Sequence, residues 1–434
     1  MNRKKLFFAG AVGNAIEIFE VLVYAFLQPY IVGTFFPPGY KENNLLFLIT
    51  VILPFLAKPL GALYFGVLGD LKGRKTVLEL SIALSGISCG LIAVLPSYQS
   101  MGMFSFICLL FLRFLLGFSL SGEYNNSFLY LAEQSEPRSR GFIVSWASLG
   151  TCIGILMATV VSFSMMHLIE NDYLPGWSFR ILFLFCLVNL YMTYKARKTL
   201  SETAEFFISF PSLEDNKLKA VINQAKNEIK KSVPSLLKVF FIFGFGAHIT
   251  YTLILYAPFH LLDVNPHITT LKQSISLIVY YALICSILTP LVGKLSDLIG
   301  RKLLLLCGIM LCLSLYLLFF FKLASNASYL QLLFFYLLVA IGDALYSTGL
   351  IEAMESLPGH MRSTINGIFI GIPAVLFGAL SLPYFEMMLK KIPLSPLISL
   401  AITIPLLVII LASKRKMLSP AHTYRYQLEK AKIK

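Results

Sequence analysis

Long apolar runs, each broken by a short polar stretch, follow one another from Leu6 to Leu411. A helix needs about 20 mainly apolar residues to cross a bilayer. By that measure the pattern predicts twelve spanning helices. The first six are Leu6 to Phe36, Leu45 to Gly69, Thr76 to Leu95, Met101 to Ala132, Gly141 to Leu168 and Trp177 to Tyr194. The second six are Leu236 to Leu262, Gln273 to Leu295, Leu303 to Leu323, Tyr329 to Met354, Ser363 to Leu389 and Leu394 to Leu411. A polar stretch, Lys195 to Ser235, separates the two sets. The expected organisation is an N-terminal six-helix bundle at 1–196, a linker at 197–234, a second six-helix bundle at 235–413 and a basic tail at 414–434.

Composition agrees with an all-α membrane protein. The chain is 57% hydrophobic and 13% charged, which excludes a soluble globular domain. The net charge of +14 would suit nucleic acid, but its distribution argues otherwise. Most Lys and Arg fall at the N-terminus, in alternate loops or in the tail, the asymmetry that places such segments in the cytoplasm. Both termini are therefore expected inside, with lipid rather than nucleic acid as the surrounding partner. In the linker, Lys217, Lys219, Lys226, Lys230 and Lys231 recur at near-helical spacing. An amphipathic helix on anionic headgroups and a solvated tether fit that spacing equally. The seven cysteines lie inside apolar runs without metal-ligand spacing, so packing roles and no metal are expected. Neither a phosphate loop nor a catalytic cluster is found, which argues against an ATP-driven pump, an enzyme or any cofactor.

A ten-residue stretch occurs twice. Gly66-Val67-Leu68-Gly69-Asp70-Leu71-Lys72-Gly73-Arg74-Lys75 shares seven positions with Gly293-Lys294-Leu295-Ser296-Asp297-Leu298-Ile299-Gly300-Arg301-Lys302, each copy between two apolar runs. The halves are a duplication. Gly66, Gly69 and Gly293 let a helix end approach a neighbour closely. Asp70 with Arg74, and Asp297 with Arg301, set opposite charges four residues apart, where a carboxylate can pair or face another helix's N-terminus. These four are the expected conformational latch. The repeated pattern resembles the loop signature of the major facilitator superfamily, which implies two rocking six-helix bundles.

Ionisable groups at membrane depth are costly and so point to function. Gly13, Glu17, Glu20, Tyr24 and Gln28 form one polar stripe on the first helix. Lys58 sits on the second, Arg113, Glu123 and Tyr124 on the fourth, His248 on the seventh and Asp343 on the tenth. Gly13-Asn14 with Glu17 and Glu20, Lys58-Pro59-Leu60-Gly61, Arg113 to Gly117, Ser121 to Tyr124, Leu131-Ala132-Glu133, Ser201 to Phe206 and Glu355 to Pro358 are similar to stretches of the metabolite:proton symporter family. That family carries proline/betaine, shikimate, citrate and α-ketoglutarate. Departures are present too: Glu17-Ile18-Phe19-Glu20 replaces Glu-Trp-Tyr-Asp, and Lys58 replaces an Arg.

The resemblance implies that Arg113 faces a first-helix carboxylate, with Glu17, Glu20 and Arg113 coupling the proton. Asn14, Tyr24, Lys58, Glu123, Tyr124 and Asp343 are the expected substrate contacts. Asp343 could instead pair with His248. The expected function is proton-coupled symport of an organic acid or zwitterion by a monomer in the bacterial inner membrane. The alternatives are an exporter or uncoupled facilitator of the same fold, and a nutrient sensor without net flux.

Overall fold

The computed structural model describes residues 6–37, 44–198, 200–203, 229–230, 232–268, 270–356, 362–380 and 398–412. Most of the expected linker, the tail after residue 412 and the 381–397 join lie outside the described residues.

Among the described residues, twelve helical segments follow the apolar runs. They are α1 (Gly10–Phe26 with Gln28–Phe35), α2 (Ile49–Lys72), α3 (Arg74–Val94), α4 (Met103–Gln134), α5 (Arg140–Glu170) and α6 (Arg180–Lys198). The second half supplies α7 (Val233–Val264), α8 (Leu271–Ile299), α9 (Arg301–Asn326), α10 (Tyr329–Ser356), α11 (Ser363–Ala379) and α12 (Ile398–Ala412). Among the described residues, eight helices are long and apolar enough to cross a membrane, and the bent α1 makes a ninth.

The duplication is repeated in the packing. α2 and α3 both pack on α4, as α8 and α9 both pack on α10. Equivalent turns join α2 to α3 and α8 to α9. Each has a glycine in the left-handed region, Gly73 at φ 97° and Gly300 at φ 91°, so the Gly of each Gly-Arg-Lys motif is required by backbone geometry. The halves meet chiefly along α5 with α8 and α2 with α11.

Several expected spans differ in detail. α1 is not continuous: its axis bends by 71° at Leu27, whose φ of −88° and ψ of 21° leave the helical region. Pro29 opens the outer piece, where its missing N–H interrupts no hydrogen bond. α7 carries a π turn at Tyr251–Tyr256, a register shift that the apolar pattern does not encode, with further π turns at Phe319–Leu323 in α9 and Ala374–Ala379 in α11.

Close approach inside the first bundle rests on small residues. A Cβ on Gly117 would lie 1.9 Å from the Pro54 carbonyl oxygen, and one on Gly61 would lie 2.0 Å from that of Phe118. α2 and α4 can therefore cross only where glycine removes the side chain.

Candidate functional site

A cavity of about 160 Å³ lies between the bundles. The first half contributes Glu17, Lys58, Ser121, Tyr124 and Cys152 to its wall, and the second half Tyr251, Tyr281, Thr289, Asp343 and Tyr346. Tyr251 is the first residue of the π turn, so the shifted register adds an aromatic to the wall.

Glu17 is 2% exposed, and Lys58 Nζ stands 3.8 Å from its Oε1. Neither Glu17 oxygen has a hydrogen-bond partner among the described residues. A buried carboxylate held by one loose ion pair keeps capacity for a proton or another cation. Asp343, on the opposite bundle, accepts a hydrogen bond from the Tyr281 hydroxyl at 2.9 Å and lies 3.5 Å from Cys285 Sγ. Its partners are these two rather than His248, whose Nδ1 lies 3.1 Å from the Phe377 carbonyl and whose ring packs on Tyr316.

Not all the expected site residues converge on this cavity. Arg113 forms no ion pair with Glu17 or Glu20; its Nε donates to the Thr50 carbonyl at 3.2 Å and its guanidinium lies 3.7 Å over the Tyr24 ring. Tyr24 is turned into the bundle core and bonds Thr50 Oγ1 at 2.8 Å. Asn14 ties three helices together, donating to the Ala147 carbonyl at 3.1 Å and accepting from the Ser127 hydroxyl at 2.8 Å. Glu123 is held in a charge-assisted pair by Arg197, away from the wall. Glu20 faces the Cys89 and Cys186 thiols, one group from each of three helices, with ligand atoms within 4.8 Å of one another. These cysteines are far apart in sequence, so spacing gave no sign of the cluster.

The repeated loops make equivalent contacts between the bundles. Asp70 accepts hydrogen bonds from the backbone N–H groups of Ser363 and Thr364 at 3.3 and 2.9 Å, at the start of α11. Asp297 accepts from those of Gly141 and Phe142 at 2.8 and 2.9 Å, at the start of α5. Each carboxylate thus sits on the N-terminus of a helix in the other bundle, where exposed N–H groups and the helix dipole favour a negative charge. Arg74 lies 3.4 Å from Asp70 and 3.1 Å from Glu133; Arg301 lies 3.5 Å from Asp297 and 2.8 Å from Glu355.

Glu133 and Glu355 complete equivalent Asp–Arg–Glu sets, a role that no local spacing announces. Asn125 and Asn126 add to these contacts by bonding Ser363, at its carbonyl and hydroxyl respectively. The glycines fit as expected. A Cβ on Gly66 would lie 2.7 Å from Thr364 Cα, and one on Gly293 would lie 2.5 Å from Ser145 Oγ. Lys238 and Glu352 form a further buried ion pair in the second bundle that sequence reading missed.

Two helical bundles around a charged cavity, joined on one face by equivalent loops, define a multi-pass membrane protein. A family model described as the Major Facilitator Superfamily matches residues 21–381, and the chain belongs to that superfamily. It is 32% identical over 311 residues to the "Glycine betaine/proline/ectoine/pipecolic acid transporter OusA" of Dickeya dadantii, covering 69% of this chain and 60% of that protein. It is 27% identical over 370 residues to the "Citrate-proton symporter" of Klebsiella pneumoniae, covering 84% and 81%. The chain thus spans 60% of the length of the first of these relatives. The fold matches the proton:xylose symporter XylE bound to 6-bromo-6-deoxy-D-glucose, with a TM-score of 0.75, 16% identity and 96% of both chains covered.

Proposed function

We propose that the chain is a proton-coupled symporter of a small zwitterion or organic acid, working by alternating access in a bacterial inner membrane with both termini in the cytoplasm. The observation that carries this reading is the Glu17–Lys58 pair on the cavity wall, with Asp343 on the facing bundle. A cavity that offers one cation and two carboxylates suits a ligand with both signs of charge. The named relatives carry compact zwitterions or citrate, which agrees with that preference.

The mechanism follows from competition for Lys58. While Glu17 is ionised, Lys58 is its counter-ion. When Glu17 takes a proton, Lys58 loses that partner and is free to hold a substrate carboxylate. Proton and substrate then enter together. Asp343 receives the cationic end of a zwitterion, with Tyr281 fixing its orientation. Arg113 acts at one remove, holding Tyr24 and the Thr50 carbonyl so that α1 and α2 keep Glu17 beside Lys58. The rocking bodies are residues 1–196 and 235–413. Asp70, Arg74, Asp297 and Arg301 hold the cytoplasmic face shut between cycles.

Uptake into proteoliposomes tests the reading. With an inward proton gradient, labelled proline, glycine betaine and citrate are offered in turn, and accumulation above equilibrium is expected for at least one. Exchange without accumulation would indicate an uncoupled facilitator. Binding without flux would indicate a sensor.

A further inference from the structure

Cys152 on α5 and Cys285 on α8 bring their sulfurs to 3.2 Å from opposite bundles. They meet on the seam along which α5 packs against α8. Both thiols are free and buried, at 4% and 1% exposure. Cys152 nevertheless forms part of the cavity wall, as do Thr289 and Asp343, so a small solute in the cavity meets the Cys152 thiol. Cys285 Sγ also lies 3.5 Å from an Asp343 carboxylate oxygen and 3.6 Å from the Thr289 hydroxyl. A proton acceptor is therefore in contact with one thiol. A disulfide needs its sulfurs about 2.05 Å apart, so they have to close by roughly 1 Å, within reach of small side-chain rotations. Cys89 and Cys186 are also neighbours, but both belong to the first bundle and a bond between them would cross no seam.

We propose that Cys152 and Cys285 form an oxidisable dithiol whose disulfide, made by a peroxide-class oxidant entering the cavity, staples the two bundles together and stops their rocking. Cys285 gives its proton to Asp343 as it takes the Cys152 proton, and the Cys152 thiolate attacks one peroxide oxygen. The O–O bond breaks, a sulfenic acid forms on Cys152, and the departing hydroxide takes the proton from Asp343 to become water. Cys285 then attacks the sulfenic sulfur, the S–O bond breaks, and the leaving hydroxide takes the Cys285 proton as a second water. Two thiols lose two electrons and one peroxide becomes two waters. The cross-link constrains relative motion of α5 and α8, so the seals at Asp70 and Asp297 can no longer open freely. This inference concerns motion between the bundles and stands whatever the substrate.

The test uses the full-length protein in proteoliposomes, treated with hydrogen peroxide and then with dithiothreitol. Mass spectrometry of a non-reducing digest should find a Cys152–Cys285 linked peptide that dithiothreitol removes. Hydrogen exchange at the backbone amides of Gly141, Phe142, Ser363 and Thr364 should slow by at least about tenfold in the oxidised protein and recover on reduction. Neither change should occur in Cys152→Ser or in Cys285→Ala. Three results would overturn the proposal: no linked peptide at peroxide doses that oxidise either thiol singly, a linked peptide with unchanged amide exchange, or slowed exchange that persists in Cys152→Ser.

Discussion

Asp70 on α2 accepts two hydrogen bonds from Thr364 on α11, from the backbone N–H at 2.9 Å and from the hydroxyl at 2.7 Å. One carboxylate thereby joins the bundles at a point where the partner helix begins. Asp70→Asn keeps the size of the group and removes the charge that suits a helix N-terminus. Such a contact contributes about 1–2 kcal/mol when partly buried, so the closed state should lose five- to thirtyfold in relative population, by about that energy. Labelling of cysteines introduced behind the seal measures the shift. A change confined to substrate affinity would refute the latch.

Glu17 and Glu20 should separate under single substitution. Glu17 lines the cavity beside Lys58, whereas Glu20 faces the Cys89 and Cys186 thiols inside the first bundle. Glu17→Gln should abolish proton-driven accumulation by at least about tenfold while exchange of substrate continues, because a group that cannot ionise cannot take turns with substrate at Lys58. Glu20→Gln should retain accumulation. The reverse outcome would move the coupling site to Glu20.

Asp343→Asn removes the negative charge from the second bundle's side of the cavity and leaves the Tyr281 contact geometrically possible. The expected effect for a zwitterion is a KM raised by about tenfold, the scale of one charge-assisted hydrogen bond, with kcat less affected. Citrate, which has no cationic end, should not show that loss. Unchanged kinetics for both substrates across pH would remove Asp343 from the binding site.

Gly117→Ala places a methyl group 1.9 Å from the Pro54 carbonyl oxygen, which only movement of the α2 or α4 backbone can relieve. A cost of about 1–3 kcal/mol is expected, seen as a lower Tm. Gly33→Ala meets nothing within 4 Å and should leave the Tm unchanged. Equal effects at the two sites would contradict the tight α2–α4 crossing.

The helices, the duplication and the repeated loop motif were legible because each is written in consecutive residues. Gly66 and Gly69 even foretold close packing, though not that α11 is what they pack against. The cavity was only half legible. Glu17 and Glu20 share one stripe, but three residues on a helix turn by about 300°, leaving the two groups some 60° apart. That angle is enough to aim one at the cavity and the other at the bundle core. Glu123 and Arg197, Asp70 and Thr364, and Cys152 and Cys285 are partners from distant parts of the chain. Their meeting is decided by bundle packing, to which no local periodicity is sensitive.

The bend at Leu27 divides α1 into two arms with different duties. Both carboxylates of the helix ride on the inner arm, Gly10–Phe26, and the outer arm, Gln28–Phe35, has no ionisable residue except Tyr30. Ile31 and Phe35 are fully buried on the outer arm, and the Phe35 ring packs edge-on against Phe179, so the outer arm is anchored just before α6 while the inner arm is seated against α5. A single non-helical residue thus turns the chain from one packing surface to another with no loop between them.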